Sequence, residues 1–514
     1  MFERLLQVGR DVRERSDLRG LLDDCRQLLT ARGESNSLVI AARALERYRR
    51  LSPDAAARFF DALAAEFDPD PAEVLQRAES YAMTRAPDAL IELWRAAESP
   101  RQELLRRLNR APDATVQIVA MRAKILARLS THPELKAVEA DFHHLLSSWF
   151  NPGFLNLVQV DWNSPARLLE KLIQHEAVHQ IDGWNDLRRR LEPDRRCFAF
   201  FHPALPDEPL IFVEVALLEM MPDAIAPLLD RRVPEDGRDD RFKVAAFYSI
   251  SNCQPGLRGV SLGDFLIKRV AERLQAEQPK LKIFCTLSPI PGFAGWLSKL
   301  ESVQSVEASR VKASVLRELD EALRGLRERH GRDLLALVQK QPAPARAAAA
   351  VAGRAAPDAA EARGGSGADA DVATAAPAAH ALAAAQGAAG SAVIALKNAV
   401  AKRRGEAPAD ASTDDAARNG RAADLHTLQR LCALYLLQTS PTDARPSDPV
   451  ARFHLNNGAR LERIDVGADL SRKGLRQSLG LMVNYLYDLE QIEANHERFA
   501  GDRVSASRAV LSLL

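Results

Sequence analysis

The sequence predicts an α+β protein, an all-α region over residues 1–150 followed by a mixed α/β domain. Three observations carry this. Before residue 150, apolar residues recur at helical spacing behind Ser-Pro and Asp-Pro starts. After Asn151-Pro152-Gly153 the pattern changes to short runs rich in Val, Ile and Phe. Near residue 250 one such run passes through a glycine-containing turn into helical periodicity, then into another run.

In the first region, Ser52-Pro53-Asp54 opens a helix, with Ser as the N-cap and Pro at the first helical position. Its apolar stripe is Phe59, Phe60, Leu63 and Phe67. Asp70-Pro71-Ala72-Glu73 opens the next helix and resembles a capping box. Ser99-Pro100 opens another, with Leu104, Leu105 and Leu108 on one face. No chemistry is legible here, and a scaffold or oligomerisation role is expected. In the second region, strands are predicted over residues 154–162, 197–201, 210–217 and 242–251. Ser164-Pro165 caps a helix expected to reach His179. A helix over about 260–275 and a strand over 282–287 follow the turn. Residues 341–423 are Ala-rich, with Gly, Pro, Asp and Arg, and read as a low-complexity linker. An apolar helix over 425–437 resumes the fold, so residues 151–340 and 424–514 form two parts of one domain.

Composition narrows the function. With 514 residues there is room for two or three domains, and 46% hydrophobic and 27% charged residues are ordinary for a globular chain. A net charge of +1 offers no field for nucleic acid or a membrane surface. The five cysteines lie far apart and form no C-x-x-C pair, which argues against a disulfide framework or zinc ribbon and for packing residues in a reducing compartment. Met1-Phe2-Glu3-Arg4 has no secretory apolar core, Asp11, Glu14 and Asp17 are foreign to a transit peptide, and no stretch suffices to span a bilayer. The expected compartment is the cytoplasm.

Four motifs carry possible chemistry. His175-Glu176-Ala177-Val178-His179 matches H-E-x-x-H, which on a helix sets two imidazoles on one face as zinc proteases require. The extended protease pattern is missing: Asp182 and Asn185 stand where Gly and His are needed, with Gly183 one place out of register. Histidines that bind no metal are the favoured reading, with His179 satisfying helix-end carbonyls. The turn Gln254-Pro255-Gly256-Leu257-Arg258-Gly259-Val260-Ser261-Leu262-Gly263 lies between a strand and a helix, where backbone N–H groups suit an anion. It is neither a Walker loop nor a dinucleotide fingerprint; Gly259 and Gly263 permit close approach and Arg258 adds charge. Ser288 ends a strand ahead of Pro289-Ile290-Pro291-Gly292, whose rings fix the backbone, and no G-x-S-x-G elbow surrounds it. His454 stands in Phe453-His454-Leu455-Asn456-Asn457-Gly458.

Together these pieces resemble malonyl-CoA decarboxylases. The likeness rests on residues 142–155 (FHHLLSSWFNPGFL), 176–179 (EAVH) and 247–251 (FYSIS). It continues through Gly256-Leu257-Arg258-Gly259-Val260, Leu262-Gly263, residues 265–270 (FLIKRV) and 287–293 (LSPIPGF). It ends with Phe453-His454-Leu455, Asn457-Gly458-Ala459 and Gly480-Leu481-Met482-Val483-Asn484-Tyr485. The resemblance implies an N-terminal helical domain, a catalytic domain of the GNAT acetyltransferase fold, homo-oligomers (dimer or tetramer), and no metal or organic cofactor, coenzyme A being part of the substrate. It implies that Ser288 and His454 are catalytic and that Asn457, Tyr487 and, as support, Ser249 belong to the site. It places coenzyme A at the turn Arg258, Gly259, Val260, Ser261, Leu262, Gly263 and Asp264. Ser261 departs from the fold's second small position, where some members carry glutamate; backbone binding survives that change. Lys268 and Arg269 are candidates for the coenzyme A 3′-phosphate.

The implied reaction converts malonyl-CoA to acetyl-CoA and carbon dioxide. The thioester itself accepts the electron pair released by decarboxylation, donors at the developing oxyanion lower the barrier, and a histidine of near-neutral pKa can protonate the α-carbon. Ser288 is expected to orient the carboxylate and His454 to protonate the enolate; a proton relay through Ser288 is the alternative division of roles. A coenzyme A-dependent acyltransferase and a non-catalytic acyl-CoA sensor on the same fold are competing readings.

Overall fold

The computed structural model describes residues 2–30, 34–230, 241–260, 262, 266–306, 311–331, 334–339, 411–437 and 446–514. The chain clusters into two compact units. One comprises Met1–Ser288, Phe453–Leu461 and Asn484–Ser505; the other comprises Pro289–Arg452, Glu462–Val483 and Ala506–Leu514.

The first unit begins with helices α1 (Phe2–Thr30), α2 (Glu34–Arg50), α3 (Pro53–Glu66), α4 (Pro71–Thr84), α5 (Pro87–Ala97), α6 (Pro100–Leu108), α7 (Ala114–Arg128) and α8 (Lys136–Trp149). The expected starts hold. Ser52 Oγ accepts from Ala55 N at 3.2 Å, and Asp70 Oδ1 accepts from Ala72 N at 2.9 Å. Phe59, Phe60, Leu63, Phe67, Leu104, Leu105 and Leu108 are buried, as their spacing requires. Ser99 differs: its hydroxyl does not cap α6 but donates to Asp141 at 2.7 Å. There it joins the buried Arg101, which ion-pairs with Asp141 and Asp68, both at 2.6 Å. A buried guanidinium needs such partners, and their demand outweighs the local cap.

Strands β1 (Asn156–Val160), β2 (Arg195–Phe201), β3 (Ile211–Leu218), β4 (Val244–Asn252) and β5 (Ile283–Thr286) follow. β1 to β4 form an antiparallel meander. β5 lies parallel to β4, and β8 (Met482–Tyr487) pairs antiparallel with β5 through Tyr487 and Leu486. β6 (Ser288–Pro289) and β7 (Arg460–Asp465) are the remaining strands described. The sheet is apolar on both faces: Val213, Val215, Val244, Ala246 and Cys285 are all buried.

α9 (Ala166–His175) ends four residues before the expected His179, and α10 (Gly183–Arg190) follows. The reason is Glu176. Its carboxylate accepts from Ser249 Oγ at 2.7 and 2.8 Å, from Ser251 Oγ at 3.2 Å, and from the backbone N–H of Val178 and His179 at 2.8 and 2.7 Å. These bonds draw the chain off the helix axis, and Arg190 then takes the carbonyls of His179 and Gln180. The two imidazoles of the H-E-x-x-H motif therefore do not share a helix face, and its carboxylate is already occupied.

In the second unit, α13 (Phe293–Lys299), α14 (Ala313–His330) and α15 (Leu335–Gln339) accompany helices Ala411–Leu437 and Arg472–Ser478. α11 (Ala226–Leu229) and α12 (Leu266–Glu277) belong to the first. The helix expected at 425 begins at Ala411, and α12 begins at Leu266 rather than near 260. Phe293, Trp296 and Tyr435 form an aromatic cluster, with ring centroids 5.2–6.0 Å apart. All five cysteines are buried and none forms a disulfide, as packing residues should be. Burial pushes the thiols of Cys25 and Cys253 up to about 12. Among the described residues, no helix is long and apolar enough to cross a membrane.

Candidate active site

Ser288 follows β5, and His454 lies on the helix Pro449–Asn456, 166 residues downstream. The fold brings them together: Ser288 Oγ stands 2.9 Å from His454 Nε2. The other imidazole nitrogen, Nδ1, stands 2.9 Å from the Tyr487 hydroxyl on β8. Ser288 Oγ–H donates to Thr286 Oγ1 at 2.9 Å, and the same Thr286 oxygen accepts from Tyr485 N at 3.2 Å. With its proton turned to Thr286, Ser288 accepts from Nε2–H, and Tyr487 O–H donates to Nδ1. One tautomer satisfies every contact.

The cluster is dry. Ser288, His454 and Tyr487 are 5%, 3% and 1% exposed. The Tyr485 ring stacks on the imidazole, with centroids 4.6 Å apart and planes 26° apart. Burial pushes His454 down to about 3 and Tyr487 well above its ordinary value, so both are neutral near pH 7. This corrects the expected near-neutral histidine: in the free protein His454 holds no charge to give away.

His454 is held by its helix end. Asn457, expected to line the site, donates from Nδ2 to Phe453 O at 2.8 Å. Gly458 turns the chain at φ 78°, and a Cβ there would meet Ile492 O at 2.2 Å. The helix Ile492–Ala500 also binds the turn, Asn495 Nδ2 donating to Gly458 O at 3.2 Å. Ser249 is not in the hydrogen-bonded trio, since it serves Glu176.

The glycine turn leaves β4 while Ser288 leaves β5. Because β4 and β5 are parallel, turn and serine emerge at the same end of the strand pair. Their register ends at Phe247 and Thr286, while β4 runs on to Asn252 against β3, past a bulge at Glu214/Val215. Ser261, Gly263 and Asp264 lie outside the described residues. Arg258 and Gly259 are exposed, Val260 and Leu262 buried. Lys268 and Arg269 are engaged elsewhere: Lys268 pairs with Glu493 at 2.6 Å, and Arg269 donates to Leu155 O at 2.9 Å.

Four contributors escaped the sequence reading. Thr286 and Tyr485 had a readable signal: Tyr485 stands two places from Tyr487 on β8 and hence on the same face, and Thr286 ends β5 two places before Ser288. Arg122 and His143 had none. Arg122, fully buried on α7, donates to Gly256 O at 2.7 Å and ion-pairs with Glu139 at 2.7 Å. His143 on α8 donates from Nε2 to Gly259 O at 3.1 Å. A Cβ on Gly256 would sit 1.9 Å from Val119 O, so only glycine lets the turn lie against α7. The helical region thus grips the turn.

A sequence model described as the malonyl-CoA decarboxylase C-terminal domain matches residues 153–355 and 378–514, and one described as the N-terminal domain matches residues 67–150. The chain belongs to the malonyl-CoA decarboxylase family. The mitochondrial malonyl-CoA decarboxylase of Mus musculus is 33% identical over 446 residues, covering 85% of this chain and 75% of the relative. That of Rattus norvegicus is 33% identical over 448 residues with the same coverage. The crystal structure of malonyl-CoA decarboxylase from Rhodopseudomonas palustris superposes with TM-score 0.71 at 40% identity, covering 96% of this chain and 99% of that one. The Agrobacterium vitis enzyme gives TM-score 0.69 at 40% identity and the same coverage. Its relatives are malonyl-CoA decarboxylases by name.

Proposed function

We propose that this chain converts malonyl-CoA to acetyl-CoA and carbon dioxide at Ser288, His454 and Tyr487. The observation that carries the reading is the 2.9 Å contact of Ser288 with His454, two residues far apart in sequence that meet where both are buried. The reaction breaks the bond between the α-carbon and the carboxylate, and its electron pair enters the thioester as an enolate. The enolate takes one proton at carbon. Each turnover therefore consumes one proton.

That proton sets the role of His454. The neutral imidazole is a poor acid, but a malonyl carboxylate beside it favours the imidazolium by charge attraction. Substrate binding then brings the proton, Tyr487 holds Nδ1, and Nε2–H protonates the enolate, returning His454 to neutrality. When substrate binds, the Ser288 hydroxyl turns its one proton from Thr286 to the malonyl carboxylate and so orients it. Low solvation disfavours the ionised carboxylate against the delocalised enolate, which aids loss of carbon dioxide.

Coenzyme A sits, in this reading, at the turn Arg258, Gly259, Val260, Leu262, where Arg258 and Gly259 are exposed, while the N–H groups of Arg258 and Val260 close the turn onto Pro255 O and Leu257 O. The parting of β4 from β5 and the β4 bulge support an acetyltransferase-like GNAT domain. No group beyond the substrate is required, because the thioester is the electron sink. Five buried cysteines with no disulfide among them support a reducing, cytoplasmic setting.

The test incubates chelator-treated protein with malonyl-CoA and follows acetyl-CoA and carbon dioxide. Equal formation of both, lowered about 10²–10⁴-fold in His454→Asn, is the expected result. Normal turnover by that variant would remove His454 from the mechanism. Malonyl-CoA bound without turnover would make the chain a sensor, and transfer of the acyl group to an acceptor would make it a transferase.

A further inference from the structure

The second unit contains a cavity of about 480 Å³ that the proposed chemistry does not use. It lies between α13, the end of α14, the start of α15 and the helix Arg472–Ser478. Its volume is within the range of small-molecule sites. The inner wall is aliphatic: Leu297, Leu334, Leu475 and Leu479 are all buried. At the mouth stand Arg472 and Arg476, one helical turn apart and both exposed. Among the described residues neither guanidinium has a carboxylate or carbonyl partner. The nearby Asp469 instead accepts from Ser471 N at 2.9 Å. Arg327, the third cation of the wall, is turned onto the carbonyls of Leu297, Leu300 and Glu301.

An aliphatic wall beneath two unpaired guanidiniums fits one class of molecule. We propose that this cavity binds an aliphatic monocarboxylate, its tail among the leucines and its carboxylate between Arg472 and Arg476. A guanidinium pairs a carboxylate through two parallel N–H bonds, and a buried tail supplies affinity in proportion to its apolar area. A neutral chain would leave the arginines unused, and a short hydrophilic anion would leave the wall wet. The site is independent of the decarboxylation reading.

The experiment titrates the full chain with decanoate by calorimetry, with decanol as the uncharged control. Saturable one-to-one binding is expected, at least tenfold tighter than that of decanol. The double variant Arg472→Gln/Arg476→Gln should weaken it at least tenfold with decarboxylation unchanged. A Cβ on Gly295 would have nothing within 4 Å, so Gly295→Leu fits its helix while filling the cavity, and should also abolish binding with no loss of thermal stability. Equal affinity for decanol, unchanged binding in both variants, or displacement of decanoate by coenzyme A would each overturn the proposal. So would a change of oligomeric state in the double variant without decanoate binding, which would assign this face to a second copy of the chain.

Discussion

At the scale of single residues, burial keeps the His454 imidazole neutral in the free protein, and its contacts with Ser288 and Tyr487 orient it. His454 has an ordinary pKa near 6.5 when unfolded and about 3 when buried. The unfolded chain therefore binds the extra proton as pH falls below about 6.5, and the native state does not until about 3. The contribution is fully present above 6.5 and is lost as pH falls through that window. Between pH 7.5 and pH 5, His454 should cost about 2 kcal/mol of stability. Denaturant midpoints of the parent and His454→Asn at the two pH values test this; the variant should lack that part of the slope. The proposed reaction makes the opposite demand on this residue. If the complex uses an imidazolium, kcat should fall as pH rises through the pKa of His454 in that complex. Tyr487→Phe, which removes the hydroxyl at Nδ1, should lower kcat about tenfold with little change in thermal stability. Steady-state rates across pH distinguish this from simple unfolding.

At the scale of elements, two helices from the N-terminal region hold a turn of the sheet domain. Arg122 ties α7 to the Gly256 carbonyl, and His143 ties α8 to Gly259. Removing the guanidinium leaves a buried carbonyl and Glu139 without their partner, a loss on the order of 1.5–3 kcal/mol. If the turn binds coenzyme A, the displaced backbone should weaken substrate binding more than chemistry. Arg122→Met should raise the KM for malonyl-CoA at least tenfold and leave kcat within about twofold. Arg122→Lys should recover part of the loss. Equal change in both constants would mean that the clamp serves the fold alone. Nothing in residues 1–150 suggested this, because a buried arginine and an exposed histidine on amphipathic helices read as ordinary surface charges. Their purpose appears only when the turn, 134 residues from Arg122, is placed against them. The same limit explains α9. Helical periodicity carries its pattern through His179, but the bonds that end it come from Ser249 and Ser251 on a distant strand.

At the scale of the whole molecule, α4 and α5 bury no residue, yet they expose Leu75, Met83, Ile91 and Trp94. Met83 is 86% and Trp94 65% exposed. An apolar helical pair left open in this way suits contact with another copy of the chain. Large exposed side chains at such a face act as binding hot spots worth roughly 2 kcal/mol or more each. If copies meet at this face, Met83→Glu/Trp94→Glu should shift the sedimentation of the protein to smaller species. An unchanged assembly would exclude this surface as the contact.

Local structure and the candidate residues could be read from neighbours along the chain. Helix starts at Ser52 and Asp70, the strands of the meander, the turn after β4, and Ser288, His454 and Tyr487 were all legible, because caps, periodicity and long matched runs are properties of neighbours in the chain. Tertiary structure decided how those residues are arranged. Only the fold could set Nε2 against Ser288 and Nδ1 against Tyr487, stack Tyr485 on the ring, and engage Ser249 with Glu176 and Asn457 with its own helix end. Above all it decided the charge of His454. A pKa depends on the solvent and charges that surround a group in space, and an isolated sequence position carries neither.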